Sequence, residues 1–142
     1  MKGKSEMNKK TTHNYCAAWL CKKSQDDLKA AGIEKTPHMT TFFDGHGQFN
    51  DMTKHPVIEG DRNATIKAVV EWLVGDKTYL IAELDKCDWS KDINEFYLSQ
   101  GLVQDLPHKP HITLKKNIEK GESSQFQSLV GIVLVFDRQG FE

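Results

Sequence analysis

The sequence reads Pro37-His38-Met39-Thr40 in its first half and Pro110-His111-Ile112-Thr113 in its second. Each half of the 142-residue chain therefore carries one copy of the pattern proline, histidine, apolar residue, threonine. Self-similarity of this kind is the signature of a fold built from repeated units. We therefore expect two related halves whose symmetry brings the two copies face to face.

The spacing inside each copy fits a β-strand. In a strand, residues i and i+2 point to the same side, so the histidine and the threonine of each copy share one face. The apolar residue between them, Met39 or Ile112, then points the other way, into the core. The four side chains expected to line one cleft are His38, Thr40, His111 and Thr113.

A strand and a helix precede the first copy. The apolar run 15–21 predicts a buried strand, and Ser24 is the expected N-cap of a short helix that ends at Gly32. The first copy then begins a strand over 38–43. Residues 44–63 contain glycines and a proline without any period, which predicts a long loop on the side of the motifs that is able to gate a site.

The second half repeats this order. Alternation over 64–74 predicts a strand that a Gly75-Asp76 turn joins to a second strand over 78–84. One face of the first of these strands is expected to carry Ile66, Ala68, Val70, Trp72 and Val74. Asp88 or Ser90 is the expected N-cap of a helix that ends at Gly101.

The remaining pattern completes an α+β domain. The second copy begins a strand over 111–116, a weak helix is predicted over 122–129, and an apolar strand over 131–137 follows. The polar, basic residues 1–13 predict a flexible tail, so we expect a single domain over 14–142. No apolar run reaches the length of a membrane span, and we expect a soluble monomer.

Composition restricts the function. Lys and Arg total 19 against 20 Asp and Glu, so the chain lacks the basic excess of proteins that bind long nucleic acids. Any bound nucleotide is then expected to be small and held in a pocket. The three cysteines form no C-x-x-C pair, which favours a reducing cytoplasm over a disulfide scaffold.

The paired motifs suit phosphoryl transfer. Cleavage of a phosphodiester needs a base for the attacking hydroxyl, an acid for the leaving oxygen and donors for the non-bridging oxygens. Histidine fits both proton roles because its unperturbed pKa is about 6.5. Two histidines and two threonines in one cleft would supply all three functions, although the sequence does not say which histidine is the acid.

The two motifs resemble those of the 2H phosphoesterase superfamily (LigT-like), which has one H-apolar-[ST]-apolar motif in each half. The resemblance in element order covers the chain from Tyr15 onward. It implies a duplicated α+β fold with two antiparallel-sheet lobes around a central cleft and helices outside, and phosphodiesterase activity without metal or cofactor. Thr41 departs from the motif, which has an apolar residue at that position.

Within this superfamily the chain is most similar to small phage anti-CBASS enzymes, which cleave the 3′,5′ bonds of cyclic di- and oligonucleotide second messengers. The resemblance implies the cytoplasm of an infected bacterial host as location. In that subgroup aromatic side chains stack on bases and an acidic residue near the C-terminus contributes. It thus implies substrate binding by Tyr15, Trp72 and Glu142, with Asp137 as the alternative acid; ordinary core packing is the alternative for the two aromatic residues.

Other functions stay open at this point. A metal site would use His108 and His111 with ligands from the loop, among them Asp44, His46, Asp51 and His55, although Pro110 argues against the helix that an H-x-x-H pair needs. A nucleotide-binding sponge would use the same cleft without turnover. Within the enzyme class, the alternatives are an RNA 2′,3′-cyclic phosphodiesterase and a 2′,5′-oligoadenylate phosphodiesterase.

Overall fold

The computed structural model describes residues 14–44, 48–50, 52–56, 60–104 and 106–141, so the predicted tail lies outside the described residues. The described strands are β1 (Asn14–Leu20), β2 (His38–Asp44), β3 (Arg62–Val74), β4 (Lys77–Asp85), β5 (His111–Lys115) and β6 (Val133–Phe141). Two α-helices, α1 (Lys22–Ala30) and α2 (Asp88–Leu98), and a 3₁₀ helix, Glu122–Leu129, accompany them. The predicted α+β class is confirmed.

The six strands close into one antiparallel barrel in the order β1-β2-β5-β4-β3-β6. The two expected sheet lobes are therefore joined into one continuous sheet. Exchanging β1 with β4, β2 with β5, and β3 with β6 leaves every neighbour relation in this ring unchanged. The strand order is thus symmetric between the two halves of the chain.

The centre of this symmetry lies where β2 meets β5. Met39 pairs with Ile112 there, and both side chains are fully buried in the main core. The residues on either side of them alternate to the opposite face, where they are partly exposed. The strand register thus puts the two copies of the motif side by side.

Both α-helices begin earlier than predicted. Their N-cap residues are Cys21 and Cys87, so Ser24 and Ser90 do not cap them. The two serines are buried instead: the hydroxyl of Ser24 accepts a hydrogen bond from the amide of Val135 at 2.8 Å, and that of Ser90 donates to the carbonyl of Cys87 at 2.9 Å. A Cys-x-x-Ser pattern at both helix starts is therefore a second repeat, which the sequence analysis missed.

Strand β3 differs from the prediction in the faces of its side chains. A bulge between Ile66 and Ala68 shifts the register against β4, so one residue is inserted and the alternation reverses. Val69 is buried as a result, while Val70 and Trp72 lie on the opposite, partly exposed face. The prediction of one face shared from Ile66 to Val74 is therefore wrong.

The turns and the loop follow the sequence more closely. Gly75 has a positive φ of 64° in the two-residue turn between β3 and β4, as the hairpin prediction requires. In the predicted loop, Phe49 stacks on Phe42 and Tyr97, with ring centroids 5.9 and 5.4 Å apart. The described part of this loop thus packs against β2 and α2, and it lines neither of the clefts described below.

Two apolar clusters hold these elements together. The larger contains Met39 and Ile112 together with side chains from α1, β3, β4, β6 and the 3₁₀ helix. The smaller lies under α2 and includes Phe42 and Tyr97. Burial of such side chains is the main favourable term in folding. No helix among the described residues is long and apolar enough to cross a membrane.

Candidate active site

A cleft of about 650 Å³ lies over the junction of β2 and β5. Its lining includes all four of the predicted motif residues, His38, Thr40, His111 and Thr113. The two imidazoles and two hydroxyls therefore share one cleft. In an antiparallel pair, the register at Met39 and Ile112 puts the two histidines in diagonal positions, typically about 7 to 8 Å apart.

A backbone carbonyl fixes the tautomer of His111. Its Nδ1 lies 2.8 Å from the carbonyl oxygen of Lys109, and because a carbonyl only accepts, Nδ1 must carry the proton. Nε2 is then the nitrogen that accepts a proton in the neutral ring or donates one in the cation. This contact orients His111 for proton transfer through Nε2.

Two aromatic residues of β1 contact His38. Trp19 pairs with it across the strands, and their ring centroids are 4.7 Å apart. Tyr15 stacks on the same imidazole at 5.6 Å with an interplanar angle of 21°. Tyr15, predicted as a substrate-binding residue, thus lies beside the motif. Trp19 was not predicted as a site residue, although it lies two strand positions after Ala17, on the same face as Tyr15.

Trp72 contacts the other histidine. Its ring centroid is 4.5 Å from that of His111, and the ammonium of Lys109 lies 5.3 Å from the Trp72 ring. Lys109 also pairs with Glu83 at 3.2 Å, and Glu83 pairs with His111 across β4 and β5. Trp72 is therefore a partly exposed neighbour of the motif, not a buried core aromatic.

The wall of the cleft is basic. Lys35, Lys115 and Lys116 line it, and Glu34 is the only carboxylate among its described lining residues. The ammonium of Lys115 is paired with Glu122 at 2.8 Å, a contact that lowers the pKa of the Glu122 carboxyl. Since the whole chain has no basic excess, this concentration of lysines is local and favours an anionic ligand.

A second cleft of about 570 Å³ adjoins the first and shares Thr40 and His111 with it. Its lining is largely apolar and includes Phe43, Trp72 and Leu106. Flat apolar and aromatic surfaces of this kind suit a nucleobase. The two motifs therefore stand where a basic cleft and an apolar cleft meet.

Thr41, the residue that departs from the superfamily motif, has a structural function. It lies at a bulge where β2 pairs with β1, and only 1% of it is exposed. Its hydroxyl donates to the carbonyl of Cys16 at 3.1 Å, and its own carbonyl accepts from the side chain of Asn94 at 2.8 Å. The polar group is therefore satisfied inside the protein.

His108 lies behind His111 in the apolar cleft. Its Nε2 is 3.1 Å from the hydroxyl of Ser90. Because that hydroxyl gives its only proton to Cys87, it accepts from Nε2 of a neutral His108. Burial, and secondarily the electrostatic interaction with the His111 ring, lower the pKa of His108 to about 4.

The remaining candidates lie elsewhere. Glu142 is outside the described residues, as are His46 and Asp51. Asp137 is exposed, pairs with its neighbour Arg138 at 3.3 Å and lines neither cleft. Among residues 14–44, 48–50, 52–56, 60–104 and 106–141, no three potential ligands from His, Cys, Asp and Glu come together as a metal site. His55 bonds instead to the hydroxyl of Tyr97 at 2.8 Å.

Comparison with known proteins adds no assignment. No family model matches the chain, and no curated protein sequence matches it significantly. The chemistry of the clefts is thus the basis for assigning a function.

Proposed function

We propose that the protein is a metal-independent phosphodiesterase of the 2H type, which cleaves 3′,5′ bonds in cyclic di- or oligonucleotides. The observation that carries the proposal is the shared cleft of His38, Thr40, His111 and Thr113. The symmetric strand order supports the duplicated fold that such an enzyme would have.

In the proposed reaction one histidine takes the proton of a ribose 2′-OH, and the oxygen attacks the adjacent phosphorus. The bond from phosphorus to the 5′ oxygen breaks as the other histidine protonates that oxygen. The product is a 2′,3′-cyclic phosphate, which water opens with the two roles exchanged. The hydroxyls of Thr40 and Thr113 donate hydrogen bonds to the non-bridging oxygens.

The diagonal placement of the histidines suits this reaction. Diagonal strand positions are typically about 7 to 8 Å apart, which leaves room for one phosphate between two imidazoles. For His111, the contact with Lys109 leaves Nε2 for the proton transfer. The contacts of Tyr15 and Trp19 with His38 restrict the motion of that ring. General acid and base catalysis requires that the proton-transferring groups be correctly positioned. Two imidazoles whose motion is restricted by their neighbours meet this requirement.

The adjoining clefts support a nucleotide as substrate. The basic cleft suits phosphate, and the apolar cleft with Trp72 and Phe43 suits a base. Trp72 lies in the apolar cleft next to His111, where a base attached to the reacting ribose would stand. Tyr15 contacts His38 but lines neither cleft. A cyclic dinucleotide contains both phosphates and bases, so it has groups suited to each of the two clefts.

The proposal is tested by incubating the protein with cyclic dinucleotides, cyclic trinucleotides, 2′,5′-oligoadenylate and nucleoside 2′,3′-cyclic phosphates in EDTA, followed by chromatography. We expect cleavage of cyclic dinucleotides in EDTA. Replacing either catalytic histidine, as H38Q or H111Q, should lower the rate about 10²- to 10⁴-fold, because each removes a general acid or base.

The matched control is H55Q, which changes a histidine that lines neither cleft and should keep its activity. If the ligand binds but is recovered uncleaved, the protein is a nucleotide-binding protein without turnover. Cleavage restricted to 2′,3′-cyclic ends or to 2′,5′ bonds would identify the corresponding alternative enzyme. Undiminished cleavage by both H38Q and H111Q would refute the two-histidine mechanism.

A further inference from the structure

Two of the three lysines in the basic cleft have no carboxylate partner among the described residues. Lys115 is paired with Glu122, but Lys35 and Lys116 form no ion pair within 4.0 Å in the described part of the chain. The ammonium of Lys116 lies 6.0 Å from the ring of Tyr79, which also lines the cleft. Two exposed ammonium groups are thus available to a ligand in the cleft.

These two lysines flank the proposed reacting centre from both halves of the fold. Lys35 lies in the connection between α1 and β2, just before the first motif, and Lys116 directly follows β5, just after the second. Both line the same cleft as His38 and Thr113. In the proposed reaction they would share this cleft with the scissile phosphate, and neither belongs to the pairs of histidine and threonine that would bind it.

We propose that Lys35 and Lys116 form a subsite for a second phosphate of the substrate, one that is not cleaved. The inference rests on the proposed function and deepens it, because it selects substrates with at least two phosphates. A 2′,3′-cyclic mononucleotide or a dinucleoside monophosphate would leave the subsite without its ligand.

The charge distribution favours this assignment. The protein carries a formal net charge of −1, so it does not attract polyanions as a whole. The lysines in the cleft create a local positive potential, opposed among the described lining residues by Glu34 alone. A phosphate held by ammonium groups forms charge-assisted hydrogen bonds, which are stronger than neutral ones.

The experiment compares two probes with the same bases and the same scissile bond. Cyclic 3′,3′-di-AMP has two phosphates, and adenylyl-3′,5′-adenosine has one. We expect the double variant K35Q/K116Q to lower kcat/KM for the cyclic probe about tenfold, in line with the loss of two partly solvated charge contacts. With the monophosphate probe the change should be less than about twofold on the same grounds.

The matched control is K29Q/K91Q, which removes the same charge from two exposed lysines outside both clefts. It should change neither rate. An equal loss on both probes would place the lysines at the scissile phosphate and overturn the subsite. An unchanged rate on the cyclic probe in K35Q/K116Q would overturn it as well.

A binding measurement separates this inference from the proposed function. The 2′-deoxy form of the cyclic probe lacks the attacking hydroxyl and cannot be cleaved by the proposed mechanism. If the protein cleaves neither ribose probe, the proposed function fails; a weaker affinity of K35Q/K116Q than of wild type for the deoxy probe would still support the subsite. No binding by wild type, or equal affinities, would overturn the subsite too.

Discussion

His38 and His111 hold equivalent positions in two strands, yet their surroundings differ. His38 stands against two aromatic residues of one strand, Tyr15 and Trp19. His111 has a single tryptophan, Trp72, and a carbonyl that holds its Nδ1 proton. The repeated motif thus fixes where the two rings are, while residues outside the motif determine how each ring is held.

Charged and ionisable side chains also contribute to the surroundings of His111. Beside His111 lie the ion pair of Lys109 and Glu83 and the partly buried ring of His108. The two aromatic side chains that contact His38, Tyr15 and Trp19, carry no formal charge. The two histidines therefore have different surroundings, so each could take a different part in the proposed reaction.

The largest contrast is expected from the two tryptophans. Trp72 lines the apolar cleft, so W72A should raise KM about tenfold or more through the loss of base stacking, which is worth roughly 1 to 3 kcal/mol. Trp19 contacts His38 but lines neither cleft, so W19A should lower kcat with little change in KM.

Steady-state kinetics on a cyclic dinucleotide measures both effects, with W72F and W19F as controls that keep an aromatic ring. Equal changes of KM in both alanine variants would show that the surroundings of the two histidines do not differ in function. A thermal melt of each variant confirms that it is folded.

Substitution of Gly140 is expected to have a smaller effect on turnover, which acts through His38 and not through His111. A Cβ at this position would stand 2.9 Å from Nε1 of Trp19, closer than real Cβ contacts. The indole of Trp19 must then move, and with it the surface against His38, so G140A should lower kcat a few-fold. The same substitution in a W19F background should have less effect, since the crowded nitrogen is gone. Equal losses in both backgrounds would mean that Gly140 acts by another route.

A further effect appears in stability instead of turnover and concerns His108, a charge neighbour of His111. Its pKa is about 4 in the folded protein and about 6.5 when unfolded. Between pH 4 and pH 6.5 the unfolded chain binds more protons at His108 than the folded protein does. The contribution of His108 to the free energy of unfolding is therefore complete above pH 6.5 and is lost as the pH falls toward 4.

We expect wild type to lose about 2 kcal/mol of unfolding free energy through His108 between pH 7 and pH 4.5, a figure discounted for partial solvation of the ring. H108Q keeps a donor for Ser90 but does not titrate, so it should lose less. Urea unfolding at the two pH values measures the difference. The same loss in both proteins would contradict the assigned protonation.

Sequence patterns predicted the elements well because their signals are local. Alternation identifies a strand such as β4, and glycine marks its turn at Gly75. The predicted faces of the β3 side chains beyond Ile66 were wrong because one residue is inserted at a bulge. The insertion reverses the alternation of side chains and has no clear local signal in the sequence. The predicted caps were wrong because both serines lie inside the first turn, where Ser24 accepts from the amide of Val135 and Ser90 donates to the carbonyl of the N-cap residue Cys87.

For the site, the motif predicted which side chains share a cleft but not what surrounds them. Trp19 reaches His38 through the pairing of β1 with β2, a register that the sequence does not state. Lys35 and Lys116 line one cleft because the segment before β2 and the segment after β5, which are far apart in the chain, lie close together there. Neighbours of this kind depend on tertiary packing, which local spacing does not encode.

The most direct test of the central claim is whether both imidazoles respond to one bound phosphodiester. Ring resonances of the histidines are followed by NMR while the uncleavable 2′-deoxy cyclic dinucleotide is added. We expect the signals of His38 and His111 both to shift and to saturate together at one ligand per protein, while that of His55 stays in place. A shift of only one of the two catalytic candidates, or saturation at different ligand concentrations, would contradict a shared phosphate.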